Sequence, residues 1–288
     1  YNYFAFKEGE NFTVGSYTGT GGAQTINTGF SPDLAWVKRS TAVNGVFKGS
    51  SLAGDNTQYF NAVANAANRI TDFGCSGFSV GGNVTETNAT SATYRYAVWR
   101  VPDPGSLGID IVDSGGCSIA SPVIGMSATT ASFACTTTTG TLGAANQKVR
   151  LTNTTGNPGW SLTIAAAGGE TSLWSDGSSN YDFNDSSGSP PGCSDGLDAD
   201  SGEAGQLSLD PSAATITPKS GCTSTGLSLG SAAAFAQGVI NSITLATANG
   251  ADTDCFWDFT GIGASQKVPP ETPSGTYTLN LTITVTAQ

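Results

Sequence analysis

The chain has 288 residues, 38 of them glycine, with only 11% charged side chains, a net charge of -11 and no histidine. A surface of that sign repels phosphate backbones and anionic headgroups, which argues against nucleic-acid binding. No run approaches the ~20 apolar residues that span a bilayer, which argues against membrane insertion.

Strand formers (Thr, Val, Ile, aromatics) are interleaved with turn formers (Gly, Ser, Asn, Asp), and long Leu/Glu/Lys/Ala helices are absent. The sequence therefore predicts an all-β protein of two β-sandwich, jelly-roll-like domains, with at most one short helix in the first. In chain order, residues 1–7 (Tyr-Asn-Tyr-Phe-Ala-Phe-Lys) echo residues 94–100 (Tyr-Arg-Tyr-Ala-Val-Trp-Arg), so the chain opens with a copy of the strand that closes its first domain. One domain needs that strand once, and the spare copy points to a preceding or neighbouring module, or to another molecule. Because the chain does not begin with Met, it reads as a processed or trimmed product whose upstream segment would carry any export signal.

Residues 8–100 form the first expected domain, with strands at Asn11–Tyr17, Leu34–Val37, Phe78–Val80 and Thr93–Trp99. Its candidate helix covers Asn61–Ile70, where Val63, Ala66, Ala67 and Ile70 fall at helical spacing. Residues 101–108 (Val-Pro-Asp-Pro-Gly-Ser-Leu-Gly) read as a linker, since two prolines and two glycines do not continue a central strand. The second domain, 109–288, is expected to place strands at Val149–Asn153, Trp160–Ala165, Gln206–Leu209, Ile240–Thr247 and Thr276–Thr286. In the last of these, Tyr277, Leu279, Leu281, Ile283 and Val285 alternate with Thr or Asn, which puts the apolar side chains on one face. Its place at the C-terminus leaves an edge that must be covered or used.

Six cysteines, Cys75, Cys117, Cys135, Cys193, Cys222 and Cys255, stand far apart with no CxxC pair. Without histidine, zinc and thioredoxin-like chemistry lose their usual ligands, and structural disulfides in an oxidising extracellular or cell-surface setting are the better reading. The expected pairs are Cys117 with Cys135 and Cys222 with Cys255, each flanking neighbouring strands. Cys75 is left to pair with Cys193, to pair with another chain, or to stay a buried thiol.

Chemistry-bearing residues concentrate in one acidic stretch of the second domain. Asp182, Asn184 and Asp185 precede a Ser/Gly/Pro-rich turn, and Asp195, Asp198, Asp200 and Glu203 follow it. Close carboxylates repel unless solvent or a cation screens them, and Ca²⁺ takes six to eight oxygens from flexible loops. The spacing departs from the EF-hand pattern, so calcium and a solvated acidic loop stand side by side as readings. Among the tryptophans, Trp36, Trp99 and Trp257 sit in expected strands and read as core. Trp174, beside Ser175-Asp176-Gly177, is the candidate for stacking on a sugar ring.

Without histidine a Ser-His-Asp arrangement is impossible, and no carboxylate pair stands out for glycoside hydrolysis, so the chain reads as no enzyme. Asn-x-Ser/Thr sequons begin at Asn11, Asn83, Asn88, Asn153, Asn184 and Asn280. An isopeptide crosslink from Lys38 or Lys148 has no supporting spacing.

Four segments of the first domain carry a resemblance: Val14 to Gly21 (Val-Gly-Ser-Tyr-Thr-Gly-Thr-Gly), Gly29 to Arg39 (Gly-Phe-Ser-Pro-Asp-Leu-Ala-Trp-Val-Lys-Arg), Gly77 to Gly81 and Tyr94 to Trp99. In that order they resemble the tandem β-sandwich module of phage tail-fibre and bacterial surface proteins. That resemblance implies that Tyr1–Lys7 is the last strand of a module whose remainder is absent. The segments beginning at Gly221, Cys255 and Pro273 resemble C-terminal domains of secreted bacterial surface proteins, which bring no activity with them. The resulting expectation is an extracellular subunit of a surface filament, a homopolymer assembled from copies of itself by β-strand addition. Tyr1, Tyr3, Phe4, Ala5 and Phe6 supply the donor strand. The alternative is an adhesin or tail-fibre-like module that binds glycans or a host surface through loops.

Overall fold

The computed structural model of the chain describes residues 11–101, 105–194, 204–219 and 221–288. It is nearly all β, with antiparallel sheets throughout and a single 3₁₀ turn at Pro211–Ala213 among the described residues. The chain divides into two compact units, Tyr1–Pro104 with Val112–Ser118, and Gly105–Ile111 with Ile119–Gln288. In place of one connector at 101–108, the chain passes from unit to unit and back, and residues 112–118 belong with the first.

The first unit contains β1 (Phe12–Thr18), β2 (Gln24–Asn27), β3 (Leu34–Arg39), β4 (Val46–Gly49), β5 (Gln58–Tyr59), β6 (Ile70–Gly74), β7 (Gly77–Val80) and β8 (Thr93–Trp99). They form a five-stranded sheet in the order β1-β8-β3-β4-β5 and a three-stranded sheet in the order β2-β7-β6. Alternation sets the inner faces: Ala35 and Val37 of β3 and Tyr94 and Val98 of β8 pack with Ile26, Ile70, Phe78 and Val80 in one core. Tyr17 stacks on Tyr94 at 5.2 Å, and its hydroxyl donates to the Thr87 carbonyl at 2.7 Å. Burial and the neighbouring Tyr94 push the Tyr17 phenol well above its usual value, so it stays a neutral donor.

The stretch expected as a helix, Asn61–Ile70, is an irregular, largely exposed loop that leads into β6 and makes one isolated bridge, Thr57 to Ala66. Asn68 takes φ +65°, a left-handed conformation that breaks a helix, and Val63 is half exposed, so the helical face has nothing to bury against.

The second unit contains β9 (Leu107–Val112), β10 (Thr136–Leu142), β11 (Lys148–Asn153), β12 (Trp160–Ala166), β13 (Leu173–Ser175), β14 (Asn180–Asp182), β15 (Gln206–Asp210) and β16 (Thr215–Pro218). It continues with β17 (Leu227–Leu229), β18 (Ala233–Ala234), β19 (Ser242–Ala248), β20 (Cys255–Thr260), β21 (Ile262–Val268) and β22 (Leu281–Ala287). Three four-stranded sheets result, β10-β21-β15-β18, β16-β20-β11-β9 and β17-β19-β12-β22, plus the hairpin β13-β14. Their shared core gathers Trp160, Leu162 and Ile164 of β12, Leu151 of β11, Leu207 and Leu209 of β15, and Trp257 and Phe259 of β20. Trp257 is fully buried, and its indole N–H donates to the Thr223 carbonyl at 2.8 Å, so its one polar atom is satisfied.

The disulfides correct one expected pair. Cys222 bonds Cys255 as read from sequence, but Cys117 bonds Cys75 and Cys135 bonds Cys193. Cys75 sits in the two-residue turn between β6 and β7. Cys117 is presented by a tight turn in which Asp113 Oδ1 accepts from the Gly115 and Cys117 amides at 2.8 and 2.9 Å. Both cysteines belong to the first unit, whereas Cys135 belongs to the second. Proximity along the chain was the wrong guide, because residues 112–118 return to the earlier unit.

Candidate assembly edge, aromatic face and buried carboxylate loop

The C-terminal strand is shorter than its alternation suggested. β22 begins at Leu281, and upstream of it Thr278 makes only an isolated bridge with Ser175. β22 pairs with β12 from Leu281 opposite Ala166 to Ala287 opposite Trp160 and stands last in its sheet. Its second edge has no strand partner among the described residues. Leu281, Ile283 and Val285 are only half-buried on the inward face, with Thr282, Thr284 and Thr286 exposed on the other. Beside the strand lies a cavity of about 350 Å³ floored by Ile164, Leu207 and Leu209 and walled by Ile124, Leu279 and Ile283. The sandwich is thus under-filled where its sheet ends, and an extended segment there would gain backbone hydrogen bonds and apolar burial together.

The proposed donor residues Tyr1, Tyr3, Phe4, Ala5 and Phe6 lie outside the described residues. So do Asp195, Asp198, Asp200 and Glu203 of the acidic stretch.

The outer face of the five-stranded sheet carries a feature that sequence reading missed. Trp36 and Trp99, read as core, point away from the core: Ala35, Val37 and Val98 are buried, whereas Trp36 is 39% exposed and Trp99 half-buried. Rings follow one another across β1, β8, β3 and β4: Phe12 to Trp99 at 5.0 Å, Trp99 to Trp36 at 4.5 Å, Trp36 to Phe60 at 5.2 Å and Phe60 to Phe47 at 4.9 Å. Phe60 is 55% exposed and Val14 47%, and Lys38 and Arg95 stand opposite each other farther along the same face. These rings make a continuous, partly exposed apolar row on the outer face of the sheet. Half of the signal was in the sequence, since Trp36 shares parity with Lys38 and Ala97 with Trp99, while the β3–β8 register puts both pairs on one face. Parity tells which side chains share a face, but not which face the core covers.

Trp174 is half-buried. Its indole N–H donates to Gln266 Oε1 at 2.9 Å, and its ring stacks on Tyr181 at 6.1 Å. Gln266 is fully buried and donates to the Asp182 carbonyl at 3.2 Å, so Trp174 ties the β13-β14 hairpin to β21.

Asp182, Asn184 and Asp185 are buried, with 0, 0 and 3% exposure, against the solvated alternative for this part of the loop. Their backbone is pinned: the Asp185 amide donates to the Gly205 carbonyl at 2.9 Å, the Leu207 amide to Phe183 at 2.6 Å and the Gln237 amide to Asn184 at 3.0 Å. Asp182 Oδ1 accepts from the Phe183 and Asn184 amides, and Asp185 Oδ1 accepts from the Ser187 amide at 2.7 Å. Asn184 donates to the Glu170 carbonyl at 2.9 Å. Asn184 Oδ1 and Asp185 Oδ2 are buried with no hydrogen-bond partner. Among the described residues no three His, Cys, Asp or Glu side chains gather as a metal-binding group.

Of the sequons, Asn88, Asn153 and Asn184 are fully buried, while Asn83 and Asn280 are exposed. Asn88 spends both its amide hydrogens and its oxygen on loop backbone and Gln24, so burial there is structural. No helix among the described residues is long and apolar enough to cross a membrane.

No family model matches the chain, and none of the curated proteins matches it. Among solved structures, a chain described under "Chaperone-tip adhesin complex is vital for synergistic activation of CFA/I fimbriae biogenesis" aligns over 94% of this chain and 92% of its own, at 10% identity and a TM-score of 0.28. A likeness that weak carries no argument about function. The tail-fibre resemblance therefore stands on its motifs alone. Three disulfides are compatible with an extracellular or periplasmic location.

Proposed function

We propose that the chain is a structural subunit of an extracellular surface filament, without enzymatic activity, that polymerises by β-strand addition between copies. The observation that carries this reading is the edge of β22, which has no strand partner among the described residues and lies beside an apolar cavity. The donor is the opening heptad of a second copy. Its seven residues match the seven of β22, and Tyr1, Tyr3, Phe4, Ala5 and Phe6 supply apolar side chains on both faces. Its near-copy in β8 forms a strand with β1 on one edge and β3 on the other, so the same sequence type is strand-forming when an edge is offered. Donor and acceptor are different surfaces, so the contact is heterologous and repeats head to tail, which builds an open filament when the rotation between copies does not close a ring.

Electron microscopy and sedimentation of the purified chain test the reading. Ordered fibres are expected from the full chain, and monomers from a variant lacking residues 1–10. Fibres that persist without those residues would sink it. A second reading, a glycan-binding adhesin, is favoured by the exposed aromatic face around Trp36. It predicts a monomer that retains on a glycan array with or without residues 1–10.

A further inference from the structure

We infer that the Asp182–Asp185 loop of the second unit is a binding site for a hard divalent cation, with calcium as its ligand. The case begins with cost. A buried carboxylate or amide oxygen that accepts no hydrogen bond has lost its water without replacement, and native interiors keep such groups rare unless an ion or water completes them. Asn184 Oδ1 and Asp185 Oδ2 are two such atoms on consecutive residues, each side chain at least nine-tenths buried. A second buried carboxylate, Asp182, sits two residues before Asn184, with its Oδ1 accepting from the Asn184 main-chain amide. The feature therefore combines negative charge with open acceptors, not charge alone.

The donor chemistry selects the ligand. The open atoms are acceptors only, and two of the three side chains are carboxyl groups. Calcium takes carboxylate and amide oxygens at flexible coordination numbers, and waters or main-chain carbonyls fill its remaining positions. Soft or borderline metals lack their thiolate and imidazole ligands here, because the chain has no histidine and the described cysteines are all in disulfides.

The local fold gives the site rigidity. Bonds to Gly205, Leu207, Gln237 and Glu170 hold the loop from three other segments before any ligand arrives. The fixed side of Asp185, through Oδ1 to the Ser187 amide, leaves Oδ2 as the oxygen to be ligated. A cation that binds only the folded chain stabilises the folded unit by mass action.

The test uses the full chain, stripped with EGTA and then titrated with calcium chloride, read by thermal unfolding and by terbium luminescence excited through the aromatics. The melting temperature is expected to rise and saturate with calcium, and terbium emission to be displaced by it. Asp185→Asn, which keeps size and removes the charge, should weaken calcium binding at least tenfold. Asn184→Asp should bind calcium more tightly while melting lower in EGTA, a pair of opposite changes that a misfolded variant would not give. No calcium-dependent rise in the wild type, or an equal rise in Asp185→Asn, overturns the assignment. Filament formation does not enter either readout, so the result stands whether or not the chain polymerises.

Discussion

The first unit holds seven Lys and Arg against eight Asp and Glu, whereas the second holds four against fourteen, so almost the whole net charge of -11 sits in the second. The apolar surface is divided the other way. The first unit turns a row of aromatic rings outward, and the second draws its large rings, Trp160, Trp257, Phe183 and Phe235, into a core with an opening beside β22. The same alternation of side chains built both, and the difference lies in which parity class meets the second sheet. An outward Trp36 contributes little to folding and is available to a partner, while an inward Trp257 is spent on stability.

The sharpest way to test that contrast is Trp257→Ala. Its ring is fully buried and packs on Trp160 at 5.9 Å, so truncation loses transfer energy, leaves a cavity and orphans the Thr223 carbonyl. The expected loss is about 3–5 kcal/mol, confined to the second unit. Amide exchange in β11, β12 and β20 should accelerate while β3 and β8 keep their protection. Equal acceleration in both units would mean that the two cores do not unfold separately.

Removing the Cys75–Cys117 bond by a double change to alanine should weaken the first unit by about 2–4 kcal/mol, since the bond closes a loop spanning 42 positions. Residues 112–118, held mainly by that bond and the Asp113 turn, should lose protection first. Denaturant unfolding followed by exchange of the Val112 and Ser118 amides reads the effect. A loss that appears only in the second unit would contradict the division of the chain.

How far sequence carried the reading follows from these same residues. Strict alternation located β8 and β12 to within a residue, because a period of two is set by the backbone itself. It overextended β22, whose upstream residues Tyr277 and Thr278 keep the pattern but meet Tyr181 and Ser175 rather than β12. It misjudged Trp36 and Trp99, since hydrophobicity alone favours burial and only the position of β2, β6 and β7 shows which face is inside. The Asp182–Asp185 stretch was visible as charge, but its burial depends on Gly205, Gln237 and Glu170, which sequence places far away.

Charge in the second unit has a structural use as well as an acidic surplus. Asp258 on β20 accepts from Arg150 at 2.7 and 2.9 Å and from Lys148 at 2.9 Å. Burial works to raise its carboxyl, and the bonds to Arg150 and Lys148 outweigh that, holding it below the ordinary value of 3.8. The depressed folded value means the unfolded state takes up the proton first. The stabilisation is thus complete above the ordinary carboxylate range and is lost as pH falls through the folded value. Asp258→Asn should cost about 1–3 kcal/mol at neutral pH and flatten the acid limb of stability against pH. An unchanged acid limb would move that role to other carboxylates.

The smallest expected effect tests the outward face of the first unit. Trp36→Ser removes a ring that is 39% exposed and touches Phe60 and Trp99, so the cost is about 1 kcal/mol from lost ring contacts, with no cavity term. Fibre formation should be unaffected if assembly runs through β22, because that strand belongs to a sheet of the second unit. Retention on a glycan array should fall if the aromatic row binds sugar. A loss above about 3 kcal/mol would show that Trp36 belongs to the stabilising core after all, and the contrast with Trp257 would then disappear.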